Sequence, residues 1–391
     1  MKLLKRTWAD VSLDNLAHNV KLLRDRVEPG CKFLGVVKAD AYGHGAIPIS
    51  RRLKELGADY LAVSNLEEAI QIRRGGIWLP ILVLGYTPPV YAEDMASMGI
   101  CQEVHALEYA KDLSQALDGT DKTLTVHLKL DTGMSRLGYF AYDRPQTYDE
   151  LIAVSRLPHL EVEGIFTHFP VSDSLSQEDQ SFTQLQYTRF TAMAQALRDA
   201  GLELPIRHCC NSGATLLHPE YCLDMIRPGI ATYGISPSEE LEGMYDLRPL
   251  MSLRTTISQV RDFEPGVTVS YGRTYTTPSP RKIAVAAIGY ADGLHRALSG
   301  RVSFLLHGKR VPVVGRICMD MCMLDVTEVP DTKPGDVVTV FGRDGADFIP
   351  VDDLAKKMQT IPYETLCDVN KRIPRIYLDG TKRMEILQYI V

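Results

Sequence analysis

Long apolar runs, an excess of basic residues and cysteine pairs at metal-ligand spacing are all missing from this 391-residue chain. No stretch approaches the roughly 18 apolar residues that a membrane-spanning helix needs. The formal net charge of -6 provides no positive field to hold nucleic acid or an anionic membrane. We therefore expect small-molecule partners, with no nucleic acid and no membrane.

The cysteine pattern and the basic start of the chain bear on its compartment. Residues 1–6 include basic residues, but no apolar run follows them, and this is not the pattern of a secretory signal. The eight cysteines are scattered, as in a cytoplasmic protein with reduced thiols. Side chains at 208–210 would alternate between the faces of a strand, and Cys318 and Cys322 lack a second pair. We predict a cytoplasmic protein with no metal site.

Strand and helix patterns alternate over the first two-thirds of the chain. Strands are predicted at residues 33–38, 60–64, 81–85, 103–106, 124–131, 162–169, 206–212 and 225–230. Helical patterns between them cover 66–74, 107–116, 144–156, 181–200 and 213–218. Eight strands that alternate with helices predict an α/β fold, a parallel (β/α)8 TIM-type barrel at residues 12–243. In such a barrel the C-terminal ends of the strands carry the chemistry. From residue 244 onwards strand patterns dominate and predict a mostly-β C-terminal domain.

One lysine stands where the first barrel strand ends. Residues 34–37 suit a buried strand, Lys38 follows at once, and Tyr42, Gly43, His44 and Gly45 come next. A buried ammonium is costly unless it is paired or neutralised. Either the amine reaches water past the strand end, or it is desolvated so that it can form a Schiff base with a carbonyl. The glycines and the phenol suit a phosphate-bearing cofactor.

Residues 37–45, Val-Lys-Ala-Asp-Ala-Tyr-Gly-His-Gly, resemble the pyridoxal-phosphate attachment segment of the alanine racemase family. Other matching segments are spread over nearly the whole chain. The resemblance implies an isomerase that uses pyridoxal 5'-phosphate, bound through Lys38. It also implies that residues 1–11 join the sheet of the second domain, which then comprises residues 1–11 and 244–391.

The resemblance assigns further strand ends to the cofactor. His168 resembles the family histidine that lies flat against the ring. Arg227 would face the pyridine nitrogen, and because its charge is permanent it would keep that nitrogen unprotonated, which favours simple proton removal and return. The residues expected to bind the cofactor are Lys38, Tyr42, His168, Asn211, Ser212, Arg227, Gly229, Ile230 and Tyr363.

Racemisation needs a proton removed from one face of the α-carbon and delivered to the other, hence two bases. Lys38 can serve one face, and Tyr271, in residues 269–275, resembles the family's catalytic tyrosine. In the family this tyrosine comes from the opposite subunit, so we expect a homodimer with shared active sites. The resemblance implies that the substrate-binding residues are Arg136, Met319 and Tyr290, and that Lys129 is a candidate for carbamylation.

These features predict interconversion of L-alanine and D-alanine by two-base proton transfer on a pyridoxal-phosphate external aldimine, supplying D-alanine for peptidoglycan. Tyr363 fills space that a hydroxymethyl group would need, but pockets discriminate one extra group by only about 1 to 3 kcal/mol. A serine or broad-spectrum amino-acid racemase is therefore one alternative. A non-catalytic pyridoxal-phosphate carrier, known as a barrel alone, is the other, and the β domain bearing Tyr271 counts against it.

Overall fold

The structure, a computed structural model, describes residues 6–390. The chain divides into two compact units. The barrel unit comprises Leu16–Ala41 and Ala46–Arg248, and the strand-rich unit comprises Met1–Asn15, Tyr42–Gly45 and Pro249–Val391. Among the described residues, no helix combines the length and apolar character needed to cross a bilayer.

Eight parallel strands form the wall of the barrel unit. In order around the wall they are Met225–Ile226, Lys32–Val36, Tyr60–Val63, Ile81–Val83, Ile100–Val104, Leu124–Asp131, Leu160–Phe166 and Ile206–His208. Backbone bonds connect the last of these with the first, since Asp224 donates to the Arg207 carbonyl and Arg227 to the Cys210 carbonyl, at 3.1 and 2.9 Å. The predicted (β/α)8 barrel is confirmed.

Helices cover the outside of these strands, which is why strand residues are buried almost without alternation. The helices are Leu13–Arg24, Ala46–Glu55, Leu66–Arg74, Ala92–Ser97, Leu107–Gln115, Gln146–Val154, Gln177–Asp199 and Ser212–Leu217. The long helix begins four residues before the predicted position, because Ser176 caps it by accepting a hydrogen bond from the Asp179 amide.

Several predicted strands are too long at their C-terminal ends. The strands predicted at 162–169 and 206–212 end at Phe166 and His208. Burial continues past both points, at Thr167, Phe169, Cys209 and Cys210, although the regular strand pairing has ended. Hydrophobicity reports burial rather than sheet pairing, so the pattern alone could not place these ends.

The strand-rich unit is built on one ten-stranded sheet. In sheet order the strands are Asp347–Ile349, Val337–Asp344, Ser303–Leu306, Lys309–Val314, Cys322–Asp325, Arg281–Ala286, Met251–Phe263, Thr7–Ser12, Arg375–Asp379 and Lys382–Leu387. A separate hairpin pairs Thr268–Val269 with Tyr275–Thr276. The N-terminal strand thus lies between two strands from the C-terminal half of the chain. Two helices, Val351–Met358 and Pro362–Cys367, complete the unit.

Candidate active site

Lys38 begins an unusual turn just beyond the strand Lys32–Val36. The four residues 39–42 all have φ between 51° and 54°, in the left-handed region. Non-glycine residues adopt this region singly, at about 1–2 kcal/mol each, and rarely in succession. Strain of this kind is concentrated at functional sites, where surrounding contacts maintain it.

Two carboxylates hold the start of this turn in the barrel unit. Glu68 accepts a hydrogen bond from the Ala39 amide at 2.7 Å, and Asp40 accepts one from the Ala46 amide at 2.8 Å. Glu68 also accepts from the Ser64 amide at 2.8 Å, so it links two neighbouring strand ends. Lys38, which is half-buried, is therefore attached to a fixed backbone.

His168 lies among four positive charges of the barrel unit. Desolvation lowers the pKa of its imidazole well below the usual value, and the charges of Arg227, Lys129, Arg136 and Lys38 lower it further. The ring is thus neutral at pH 7. Four cations acting on one ring at the C-terminal ends of barrel strands create a field that favours an anionic or electron-rich ligand.

Arg227 is a buried cation, only 5% exposed. Its guanidinium donates hydrogen bonds to the carbonyl oxygens of Thr167 and Cys209, at 2.7 and 3.3 Å, and to Nδ1 of His208 at 2.9 Å. Desolvation lowers its pKa to about 10. Within residues 6–390 it makes no ion pair with a carboxylate. Because a buried charge without a partner is costly, this arrangement is more typical of a ligand site than of a structural core.

Lys129 is also buried, with Nζ donating to the Leu130 carbonyl at 2.9 Å. Desolvation, followed by the positive charge of Arg227, lowers its pKa to about 7, although Asp131 and Glu103 oppose the shift. At neutral pH the amine of Lys129 is therefore uncharged in about half of the molecules. An uncharged amine is the form that can react with carbon dioxide.

Asp131 organises the loop that carries Arg136. One carboxylate oxygen accepts hydrogen bonds from the amides of Gly133 and Ser135, at 2.9 and 3.0 Å. Ser135 has φ of 57°, a conformation that glycine and asparagine adopt at lower cost. The loop keeps this conformation with serine, and Arg136 beside it is exposed.

Hydrogen-bond donors meet where the last two barrel strands end. The Ser212 hydroxyl oxygen accepts from the amides of Gly229 and Ala231, at 2.9 and 3.2 Å. Asn211 caps the helix that Ser212 begins, and Ile230 starts the turn that follows Gly229. The hydroxyl, which the two amides hold in place, can donate its own proton and so suits an oxygen of a phosphate group.

Tyr42 and Tyr363 lie together in the strand-rich unit, with ring centroids 6.0 Å apart. Gly43 has φ of 78°, and a Cβ added there would be 2.2 Å from the Leu366 carbonyl oxygen. The helix Pro362–Cys367 therefore packs directly against the backbone beside Tyr42. Arg375, which is fully buried, donates to the carbonyl oxygens of Gly43 and of three residues that follow the helix.

Tyr271 lies on the surface of the same unit with 70% of its area exposed. It follows Ser270, whose φ is 69° and whose hydroxyl donates to the Arg316 carbonyl at 2.6 Å. Gly272 after it also has a positive φ. A strained, hydrogen-bonded turn that presents a tyrosine to the outside indicates a functional side chain, because packing does not explain it.

Tyr290 and Met319 lie on two loops that are bonded to each other. The amide of Tyr290 donates to the Cys318 carbonyl and that of Ala291 to the Met319 carbonyl, both at 3.0 Å. Both side chains are about half exposed. Ser270 Oγ lies 3.7 Å from Cys318 Sγ, which connects this pair of loops to the turn of Tyr271. Three predicted site residues thus share one connected surface region.

Comparisons with known proteins agree along the whole chain. The family model for the N-terminal domain of alanine racemase matches residues 11–237, and that for the C-terminal domain matches residues 250–377. The chain belongs to the alanine racemase family. An alanine racemase of Desulfosudis oleivorans is 44% identical over 381 residues, which are 96% of this chain and 97% of that protein.

Solved structures of family members have the same fold. The alanine racemase of Clostridium difficile 630 superposes with a TM-score of 0.94 at 37% identity, with both chains covered completely. A histidine racemase of Leuconostoc mesenteroides superposes with a TM-score of 0.86 at 27% identity, covering 97% of this chain and 99% of that one. The alanine racemase fold thus also occurs in a protein with a different named substrate.

The alanine racemase family is pyridoxal-phosphate-dependent, and the residues of the barrel unit fit that cofactor. An amine stands at a strand end, and donors suited to phosphate lie at two other strand ends. A buried guanidinium that has no carboxylate partner within residues 6–390 lies at the end of the strand Met225–Ile226. These are the groups that an aldehyde, a phosphate ester and a pyridine nitrogen require.

Sequence reasoning missed several residues that position this site. Glu68, Asp131 and Arg375 form hydrogen bonds with backbone groups. Such bonds cannot be inferred from the sequence pattern. The helix Pro362–Cys367 was also missed, although a proline at its first position is a recognised helix start.

We expect replacement of Arg375 by methionine to destabilise the strand-rich unit. The change leaves the buried carbonyl oxygens of Gly43, Val369 and Ile373 without the guanidinium donor, which should lower the free energy of unfolding by about 3 kcal/mol or more. Urea denaturation measures this, with the exposed Arg383→Met as the matched control, expected within about 0.5 kcal/mol of the unchanged protein. Equal effects of the two changes would contradict this role of Arg375.

Proposed function

We propose that this chain interconverts L-alanine and D-alanine with pyridoxal 5'-phosphate bound through Lys38. The observation that carries the proposal is the buried Arg227 guanidinium, which makes no ion pair with a carboxylate within residues 6–390 and lies at a barrel strand end of a family member. When bound, pyridoxal phosphate supplies a carbonyl for the substrate amine and an electron-withdrawing ring that makes the α-proton removable. The remaining work belongs to side chains of the protein.

The cofactor-binding set consists of Lys38 for the aldehyde, Arg227 for the ring nitrogen and His168 against the ring. Asn211, Ser212, Gly229 and Ile230, with Tyr42 and Tyr363, provide the phosphate site. Support comes from the hydroxyl and amides around Ser212 and from the absence of an ion pair with a carboxylate at Arg227 within residues 6–390. A guanidinium does not give up a proton at neutral pH, so it would leave the ring nitrogen unprotonated. An unprotonated ring favours simple removal and return of the α-proton.

Two residues exchange protons with the substrate. Lys38, once the substrate has displaced it, serves one face of the α-carbon, and the Tyr271 hydroxyl serves the other. Arg136 and the loop of Met319 bind the substrate carboxylate, and Tyr290 lies at the entrance. Lys129 is carbamylated and thereby gains a negative charge that holds Arg136, a role supported by its lowered pKa.

The active sites are shared between the subunits of a homodimer. The 70% exposure of Tyr271, together with that of Tyr290 and Met319, supports this, because such side chains are suited to contribute to a site on another copy. In domain terms, the barrel at 12–243 binds the cofactor, and the β domain of 1–11 and 244–391 supplies the second base.

Alanine is the proposed substrate, because the relatives from Desulfosudis oleivorans and Clostridium difficile are alanine racemases and because the bulky phenol of Tyr363 would favour a methyl side chain. The alternative, a serine or broad-spectrum amino-acid racemase, is not favoured by the relatives, which at 41–44% identity are named alanine racemases. Initial racemisation rates with a panel of L-amino acids separate the two. Alanine should give the highest kcat/KM, and a low rank for alanine would overturn the proposal.

The physiological role follows from the product. D-alanine is a building block of peptidoglycan, and the proposal assigns the protein to its supply in the cytoplasm. The cytoplasmic location is supported by the lack of a disulfide among the described residues, since thiols persist in a reducing compartment.

Tyr271→Phe should lower racemisation by roughly 10²- to 10⁴-fold, because it removes one of the two proton-transfer groups. The visible absorbance of the bound cofactor should be unchanged. Tyr275→Phe is the matched control, since this tyrosine lies in the same hairpin and contacts Asp325 instead. Full activity of Tyr271→Phe would remove that residue from the mechanism.

Mixing two inactive variants tests the shared active sites. Lys38→Ala and Tyr271→Phe should each form inactive homodimers, whereas a mixed dimer has one site with both intact residues. Random assembly of equal amounts should restore about a quarter of the normal activity, as two-fold symmetry requires. If each site were built within one chain, co-expression would restore nothing.

Lys129 should carry one added carbon dioxide, which mass spectrometry of the native protein detects. Because its pKa is lowered to about 7, the uncharged amine becomes scarcer as the pH falls, so the modified fraction should decrease below neutrality. Lys129→Gln should remove the added mass and weaken substrate binding. An unmodified Lys129 at saturating bicarbonate would contradict this part of the proposal.

A further inference from the structure

A continuous chain of hydrogen bonds leads from Arg227 into the barrel interior. The guanidinium meets Nδ1 of His208 at 2.9 Å, and Nε2 of His208 meets Nδ1 of His127 at 2.9 Å. His127 Nε2 meets Glu163 at 3.0 Å, and Tyr60 donates to the other Glu163 oxygen at 2.7 Å. Both imidazoles are fully buried. We refer to Arg227, His208, His127 and Glu163 as the relay.

The two ends of the relay determine the tautomers between them. Arginine only donates, so Nδ1 of His208 must accept, and its ring proton lies on Nε2. His127 must then accept at Nδ1 and donate from Nε2 to Glu163, a carboxylate that only accepts. All three hydrogen bonds of the relay can form only when both imidazoles are neutral. Each bond then has its donor on the side of Arg227 and its acceptor on the side of Glu163. An extra proton on either ring would place two donors against each other.

The backbone is shaped to admit the relay. The pairing of Leu124–Asp131 with Leu160–Phe166 shifts by one residue after Val126, and Glu163 is the extra residue. Bulges in parallel sheets are rare, and they re-aim side chains. The next residue is Gly164, where a Cβ would lie only 2.6 Å from Nδ1 of His127. Bulge and glycine together make room for an imidazole inside the barrel.

The charges around the relay make Glu163 its negative end. Hydrogen bonding from His127 is the main cause that lowers the pKa of Glu163, and Tyr60 and the charge of Lys32 add to it. Desolvation, followed by the charge of Arg227, lowers the pKa of His208 well below its usual value. His127 and Lys129 also face the ring and would lower this pKa further if protonated. Phe166 stacks on the same ring at 4.8 Å. No other carboxylate contacts the relay among the described residues.

We propose that Glu163 is a positioning residue that acts through His127 and His208 to fix the orientation of the Arg227 guanidinium and to balance its buried charge from a distance. The function of this orientation rests on the proposed role of Arg227 at the cofactor ring. The relay itself belongs to the protein and can be tested separately from racemisation.

Nitrogen-15 NMR of histidine-labelled holoenzyme tests the direction of the relay. In the unchanged protein both relay histidines should be neutral with the proton on Nε2 across the neutral pH range. Glu163→Gln keeps an acceptor for His127 but removes the negative charge, so both tautomers should persist, while the resonance of the His127 Nε2–H, now bonded to a neutral amide, should shift. The exposed Glu161→Gln, on the same strand, should change neither ring. An Nδ1-protonated or charged ring in the unchanged protein would overturn the proposal.

Kinetics test the positioning of Arg227. Glu163→Gln should lower kcat for alanine roughly tenfold with little change in KM, as loss of a supporting partner behind a ligand-binding group commonly does, and should shift the visible spectrum of the cofactor. Tyr60→Phe keeps the carboxylate and should leave kcat and both tautomers nearly unchanged. An equal loss of kcat in Glu163→Gln and Tyr60→Phe, or no loss of kcat in Glu163→Gln, would overturn the proposal.

These outcomes separate the relay from the proposed function. If the unchanged protein racemises no amino acid, the proposed function fails, but the tautomers of the two histidines still decide the relay. If racemisation occurs and the tautomers differ from those stated, only the relay fails.

Discussion

A buried guanidinium with no carboxylate partner among the described residues is the constraint on which the chemistry of this protein depends. Arg227 donates to two carbonyl oxygens and an imidazole, and its charge lowers the pKa values of both His168 and Lys129. These groups meet because parallel strands bring their C-terminal ends to one side of the barrel. The field that results favours an electron-rich ligand, and the rigid partners of Arg227 keep its charge in one place.

Backbone strain is placed where side chains must be held precisely. Residues 39–42 form a left-handed turn beside Lys38, and Ser135 and Ser270 have positive φ directly before Arg136 and Tyr271. In each case hydrogen bonds from nearby residues support the strained backbone. The protein thus uses local conformational cost, offset by neighbouring contacts, to fix three of the residues to which the proposal assigns chemistry.

The sequence predicts the architecture better than the details of the site. Eight apolar strands with helices between them are enough for a barrel, because burial on both faces of a parallel sheet is visible in the pattern. The predicted strand ends were less accurate, since residues after Phe166, such as Phe169, are buried although the regular strand pairing has ended. The relay could not be predicted, because His208, His127 and Glu163 are far apart in the chain and depend on a bulge that only the pairing register reveals. Family resemblance named Lys38 and Tyr271, but it did not indicate how the backbone holds them.

The central claim is that one particular amine carries the cofactor. Borohydride reduction of the purified holoenzyme fixes the cofactor to whichever lysine bears it, and peptide mass spectrometry identifies that lysine. The account predicts a label on Lys38, at the start of the left-handed turn. A label on another lysine, or a protein that binds no pyridoxal phosphate, would contradict it.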